Sequence, residues 1–118
     1  MNKQAPWLKD YHGVPHTIDY PDVSMSALVA RAAEQYPDNA AYTFMGRTTN
    51  YTQMMQEIHA CAKAFQAIGI RRGDRVTICM PNLPQTVVSF YALNQIGAIA
   101  NMIHPLSSEG EIAFFLRE

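Results

Sequence analysis

Several side chains in this sequence sit at spacings that suggest chemistry. His12 and His16 stand four residues apart, the spacing that puts two imidazoles on one helix face and can begin a metal site. Gly13 and Pro15 lie between them and argue against such a helix, and no trio of carboxylates joins the pair, so no metal ligand is assigned. Arg71, Arg72 and Arg75 gather positive charge that would suit a phosphate, but Asp74 sits among them, and a solvated turn accounts for the cluster. Asn82 and Gln85 are read as the cap of a helix in preference to substrate contacts. His59 is expected on the solvent side of its helix. His104, before Pro105 at a strand end, is either a residue lining a ligand cavity or a hydrogen-bonded structural histidine. No catalytic, cofactor-binding or metal-binding residue is assigned.

Composition narrows the class. The 118 residues amount to one domain at most, with 48% apolar side chains, enough for a core. Charged residues make up only 16%, below the usual quarter, which suggests that some surface is meant to be covered. A net charge of −1 gives no electrostatic reason to bind nucleic acid. Cys61 and Cys79, without metal-type spacing, are expected to be reduced thiols acting as small packing residues. The first six residues hold no apolar run of the signal-peptide kind, and the most apolar stretch, from Val87 to Ile103, is broken by Asn94, Gln95 and Asn101. Neither a signal peptide nor a transmembrane segment is expected.

These residues have to be positioned by elements, which the patterning lays out. Residues 1–22, with Pro6, Pro15 and Pro21, should form an extended N-terminal arm anchored by Trp7 and Leu8. A helix follows from Ser24 or Ser26 as N-cap, with Leu28, Val29, Ala32 and Tyr36 at helical spacing and Pro37-Asp38 as its stop. Ala41 to Met45 reads as a strand entering a hairpin over Gly46-Arg47, where glycine at the first loop position suits a type II′ turn. Asn50 and Gln53 form a capping-box pair for a helix with Met54, Met55, Ile58, Ala62, Phe65 and Ile68 on one face, closed by Gly69. Arg75 to Met80 alternates as a strand. A helix capped by Asn82 and Gln85, with Pro84 in its first turn, runs to about Ile96 and is apolar nearly all round, so it must be covered on more than one side. Gly97 ends it, and Ala98 to Ile103 is a further short apolar run. Strand, helix and strand make a right-handed parallel βαβ unit. A last helix starts at Ser108, boxed by Glu111, with Ile112, Phe115 and Leu116 inward. The fold class is therefore α/β, with the arm over residues 1–22 and one truncated α/β portion over residues 23–118.

The order of short motifs is also familiar. Pro6-Trp7-Leu8-Lys9, Val14-Pro15, Ile18-Asp19-Tyr20-Pro21, Pro37-Asp38 and Phe44-Met45-Gly46-Arg47-Thr48 are followed by Gly69-Ile70, Gly73-Asp74-Arg75-Val76, Met80-Pro81-Asn82, Gly97-Ala98 and Pro105-Leu106. In this order the chain resembles the N-terminal part of bacterial long-chain fatty acid–CoA ligases, acyl-CoA synthetases of the adenylate-forming (AMP-binding) superfamily. Asn50, Gln85 and His104 depart from residues common there, and the first two keep the ability to cap.

The resemblance implies an enzyme that uses ATP and Mg²⁺ to turn a fatty acid into an acyl-adenylate and then passes the acyl group to coenzyme A. It also implies a Ser/Thr/Gly-rich phosphate loop, adenine and ribose motifs, and a catalytic lysine in a C-terminal domain. This sequence contains no match to any of them. Its glycines are scattered at 13, 46, 69, 73, 97 and 110. The chain alone is therefore expected to bind none of these cofactors and to be inactive. Phe90 and Tyr91, which could wall an acyl tunnel in the complete enzyme, are accounted for as buried helix residues. The partner expected is the remainder of the synthetase or a second copy, including a dimer that swaps the last helix. The alternative is a stand-alone binding or oligomerisation module derived from the family. The compartment expected is the cytoplasm, with peripheral contact at the inner membrane left open for the full-length enzyme.

Overall fold

The computed structural model describes residues 5–117; residues 1–4 of the arm and Glu118 lie outside the described part. The arm is not wholly extended. Pro6, with its φ already set for a helical turn, opens a 3-10 helix over Pro6–Asp10, held by Leu8 N–H to Ala5 O at 3.0 Å and Tyr11 N–H to Leu8 O at 3.2 Å. Residues 11–20 then run without regular structure and stay exposed. Trp7 is 60% exposed, so of the two expected anchors only Leu8 is half-buried.

Helix α1, Met25–Gln35, is N-capped by Ser24, whose Oγ accepts from Ala27 N–H at 3.2 Å. Val29 and Ala32 turn inward, whereas Leu28 and Tyr36 are exposed. Strands β1, Ala40–Phe44, and β2, Arg47–Asn50, pair antiparallel, with Phe44 opposite Arg47. The loop between them is therefore Met45-Gly46, one residue earlier than the spacing suggests. Both residues have positive φ (47° and 80°), the mark of a type I′ turn rather than II′. That turn matches strand twist, and the glycine occupies its second position.

Asn50 ends β2 and caps helix α2, Tyr51–Ala67. The expected capping box is complete: Asn50 Oδ1 accepts from Gln53 N–H at 2.8 Å, and Gln53 Oε1 accepts from Asn50 N–H at 3.1 Å. Met54, Ile58 and Ala62 form its buried face. Ile68 lies past the helix end and is 75% exposed, so it leaves the apolar stripe to which periodicity assigns it.

Strand β3, Arg75–Ile78, helix α3, Pro84–Ile96, and strand β4, Ile99–Met102, form the βαβ unit. β3 and β4 are parallel, with Arg75 opposite Ile99 and Ile78 opposite Met102. β3 stops two residues short of its expected end. The Asn82–Gln85 capping box does not form: the N-cap is Leu83, Pro84 is the first helical residue, and no side chain caps the start. Proline fixes where the helix begins, which moves the N-cap one residue past Asn82. Thr86 Oγ1 instead donates to Pro81 O at 2.6 Å. At the other end Gly97 takes a left-handed φ of 77°, and Ala98 N–H closes back on Leu93 O at 2.9 Å. A Cβ on Gly97 would stand 3.0 Å from Arg72 Cγ, so the turn is also a close approach.

Helix α4, Glu109–Phe115, carries the second expected box. Ser108 Oγ accepts from Glu111 N–H at 3.4 Å, and Glu111 Oε2 accepts from Ser108 N–H at 2.7 Å. The backbone N–H of Ser108, and then its hydroxyl, hold the Glu111 carboxyl below its usual 4.5. Ile112 is half-buried, but Phe115 and Leu116 remain exposed.

The core has two parts joined by α3. Val88 and Ala92 pack against Met54, Ile58 and Ala62 of α2, while Leu93 packs with Ile78 and Ala98 of the parallel pair. α1 also lies on α3. The helix that is apolar all round is thus covered on several sides, as its pattern demands. Among the described residues, no helix is long and apolar enough to cross a membrane.

Leu93 has no exposed surface and joins helix to sheet. Leu93→Ala should therefore cost about 3 to 5 kcal/mol, read as a fall in urea midpoint with an unchanged slope. A loss below about 1 kcal/mol would mean that the helix–sheet contact is not the centre of the core.

Candidate binding cleft and the placement of the selected residues

Where the hairpin meets α2 and the start of α3, the chain leaves a cleft of about 390 Å³. Tyr42, Phe44, Arg47 and Thr49 supply one wall from β1 and β2. Glu57 and Cys61 come from α2, and Pro84, Gln85, Val88 and Ser89 from α3. Glu57 and Cys61 share a helix face by their spacing of four. Alternation along β2 turns Thr49 inward with Arg47 two residues before it. Thr49 is 5% exposed.

One hydrogen bond ties the wall together. Tyr42 Oη donates to Glu57 Oε2 at 2.7 Å, fixing β1 to α2. Thr43 and Thr48 hydroxyls meet across the hairpin at 2.9 Å and brace its other face. Burial, followed by the Glu57 carboxylate that accepts its hydrogen bond and adds negative charge, raises the Tyr42 phenol above its ordinary 10.0; the Thr49 hydroxyl and the Arg47 cation act against that shift.

The residues singled out by spacing do not converge on this cleft, apart from Gln85 and Cys61. His16 rests edge-on against Tyr11 in the exposed arm, with ring centroids 5.7 Å apart. His59 is exposed, as expected, but it pairs with the Gln95 amide at 3.0–3.1 Å, a link from α2 to α3. His104 Nδ1 accepts from Leu106 N–H at 3.1 Å, a local bond that orients the ring. Arg71 and Asp74 close their own turn, with Arg71 N–H on Asp74 Oδ2 at 2.7 Å. Cys61 packs at the edge of the core, whereas Cys79 is exposed, because β3 has already ended at Ile78. Phe90 and Tyr91 stack edge-on and belong to the core margins.

Two positioning amides escape a reading by spacing. Asn94 Oδ1 accepts from Ser26 N–H at 2.8 Å, so a side chain of α3 satisfies a first-turn donor of α1. Asn101 Nδ2 reaches Thr77 Oγ1 and Phe115 O, both at 3.3 Å, joining β3, β4 and the end of α4. Both partners are distant in sequence, so no local pattern marks them. Tyr42 and Glu57 are missed for the same reason.

Among the described residues no three His, Cys, Asp or Glu side chains form a metal-holding group. Gly46, Gly69, Gly73 and Gly97 each serve a separate turn with positive φ, not one phosphate cradle.

A family model described as AMP-binding enzyme matches residues 29–118. A long-chain-fatty-acid--CoA ligase of Bacillus subtilis is 32% identical over 119 residues, covering 100% of this chain and 21% of the relative. The inhibitor-bound N-terminal domain of FACL13 from Mycobacterium tuberculosis superposes with a TM-score of 0.75 at 29% identity, over 79% of this chain and 24% of that one. The N-terminal subdomain of NpsA from Klebsiella oxytoca shares the fold with a TM-score of 0.77 at 24% identity, over 80% of this chain and 25% of that one. The chain thus spans about a fifth of the length of the curated relatives it matches.

The Tyr42–Glu57 bond gives a direct test. A folded-state pKa above the unfolded 10.0 means that the neutral phenol's contribution is complete below that pH and is lost as pH rises through the higher folded value. Phenolate absorbance should show Tyr42 among the last tyrosines to ionise, and Tyr42→Phe should remove a late-titrating component. If the variant loses only an early component, the bond to Glu57 does not govern this phenol.

Proposed function

Because this chain belongs to the AMP-binding enzyme family, we propose that it is the N-terminal part of an acyl-CoA synthetase. The enzyme would activate a long-chain fatty acid with ATP to an acyl-adenylate and transfer the acyl group to the thiol of coenzyme A. The observation that carries this reading is the alignment of the chain, end to end, with a fatty-acid ligase, the N-terminal arm included.

In this reading the chain is scaffold. Adenylation needs donors preorganised around an in-line phosphoryl centre and a metal ion. Separate turn glycines and a solvated arginine turn do not provide them, so no step of the reaction is assigned to a residue here. What the chain contributes is a rigid βαβ unit. Ligands of open α/β sheets bind beyond the carboxyl ends of the strands, and here Pro81 and His104 follow those ends. The chain alone lacks activity, its cofactors act elsewhere in the enzyme, and its compartment is the cytoplasm.

A second reading, self-association as a stand-alone module, is favoured by the apolar surface around α4 and β4. Phe114, Leu116, Ile99 and Met102 are each about half-exposed or more. Large apolar side chains left exposed in this way can seek a cover. The cover is either the remainder of a synthetase or, for the isolated chain, a second copy, with exchange of α4 as one route to a dimer.

Two measurements follow. The 118-residue chain should show no fatty-acid-dependent ATP–pyrophosphate exchange, whereas the product of the gene's whole reading frame should exchange with palmitate. Exchange by the full product with aryl acids alone would overturn the fatty-acid assignment, and exchange by the isolated chain would overturn the scaffold role. By light scattering the isolated chain should be a dimer or larger, and Phe114→Ser with Leu116→Ser should shift it towards monomer. A monomer from the outset would remove the argument from uncovered apolar surface.

A further inference from the structure

Among the described residues β3 and β4 pair only with each other, so each keeps an outer edge. The ladder tells which backbone groups lie there. Ile99 N–H donates to Asp74 O at 2.8 Å, and Ile103 N–H donates to Ile78 O at 3.1 Å. Backbone groups alternate sides along a strand. Those of Arg75 and Thr77 therefore point away from β4, and those of Ala100 and Met102 point away from β3. Parallel sheets are covered on both faces and usually run to more than two strands. Either edge could seat another strand, and backbone polarity alone does not choose between them.

The helices choose. Val76, Ile78 and Ala100 pack with Leu93, so α3 covers the face on which these side chains stand. Thr77 and Asn101, paired in register, point to the opposite face. There Asn101 Nδ2 donates to Thr77 Oγ1 and to Phe115 O, both at 3.3 Å, so α4 ends on the face that α3 leaves open. The helix leading into β4 and the helix leaving it thus lie on opposite sides of the sheet. A right-handed crossover through α3 steps from β3 to β4. A right-handed crossover on the other face must step the opposite way, back across β3.

We propose that the outer edge of β3 is the docking edge for a further parallel strand, supplied by the segment that follows α4 in the whole reading frame. The strand order becomes β4, β3, incoming strand, with main-chain bonds to Arg75 and Thr77 holding the newcomer. The proposal rests on the reading of this chain as part of a longer protein. The chain spans about a fifth of its curated relatives, so there is length to supply the strand.

Residue-resolved hydrogen exchange tests it, comparing the 118-residue chain with the product of the whole reading frame. The Arg75 and Thr77 amides should exchange about tenfold or more slowly in the whole product, because their edge donors enter a ladder there. Thr77→Pro removes one of those donors, and Arg75 in the whole product should then return to the rate of the isolated chain. Thr77→Ala, which removes only the hydroxyl that Asn101 reaches, should keep Arg75 slow. Exchange at Leu93 checks that the core of each variant is folded. No slowing at Arg75 and Thr77, or slowing confined to Ala100 and Met102, overturns the proposal. So does Arg75 protection that survives Thr77→Pro, which would mean a cover and not a paired strand. Slowing that depends on protein concentration would put a second copy at the edge and overturns it too. Fatty-acid-dependent ATP–pyrophosphate exchange by the same product tests the synthetase reading separately, since an inactive product can close this edge and an active one can leave it open.

Discussion

Everything in this chain hangs on helix α3 being covered from several directions. Ala92 and Leu93 are adjacent in sequence and both lack exposed surface, yet they belong to different halves of the core. Ala92 meets the α2 face and Leu93 meets the parallel strands. Successive residues on a helix point about 100° apart, so one element can serve two layers only if it is apolar around most of its girdle. Remove that condition and the hairpin–α2 half and the parallel-strand half have little to hold them together.

Much of this was legible in the residues, and the parts that were not share a cause. Both complete capping boxes, at Asn50 and Ser108, could be read because each is closed within four residues. The parallel unit could be read from an apolar helix between two apolar runs. The third box, at Asn82, has the same spacing and fails, because Pro84 decides the first helical residue and overrides a nearby amide. The hairpin loop slips by one because strand twist favours positive φ at both central positions, and the register follows the twist rather than the glycine alone. Ile68 shows that periodicity does not stop where a helix does.

The cleft was not legible at all. Tyr42 and Glu57 are fifteen residues apart, and they meet only because a capped α2 folds straight back along the hairpin that feeds it. By residue type Cys61 reads as a packing thiol and Gln85 as a capping side chain. What brings them to one cavity is the approach of α3 to α2, a tertiary fact with no local signature. The histidines went the other way. His16, His59 and His104 have ordinary partners: Tyr11, the Gln95 amide and a nearby backbone N–H.

The Asn101 amide carries a liability of its own. Its nitrogen donates both to the Thr77 hydroxyl and to the Phe115 carbonyl. A hydroxyl can rotate and become the donor, but a carbonyl cannot. Deamidation at this single position would therefore leave the strands stitched while setting an anionic oxygen against the end of α4. That one change would unhitch the last helix with the sheet beneath it still intact.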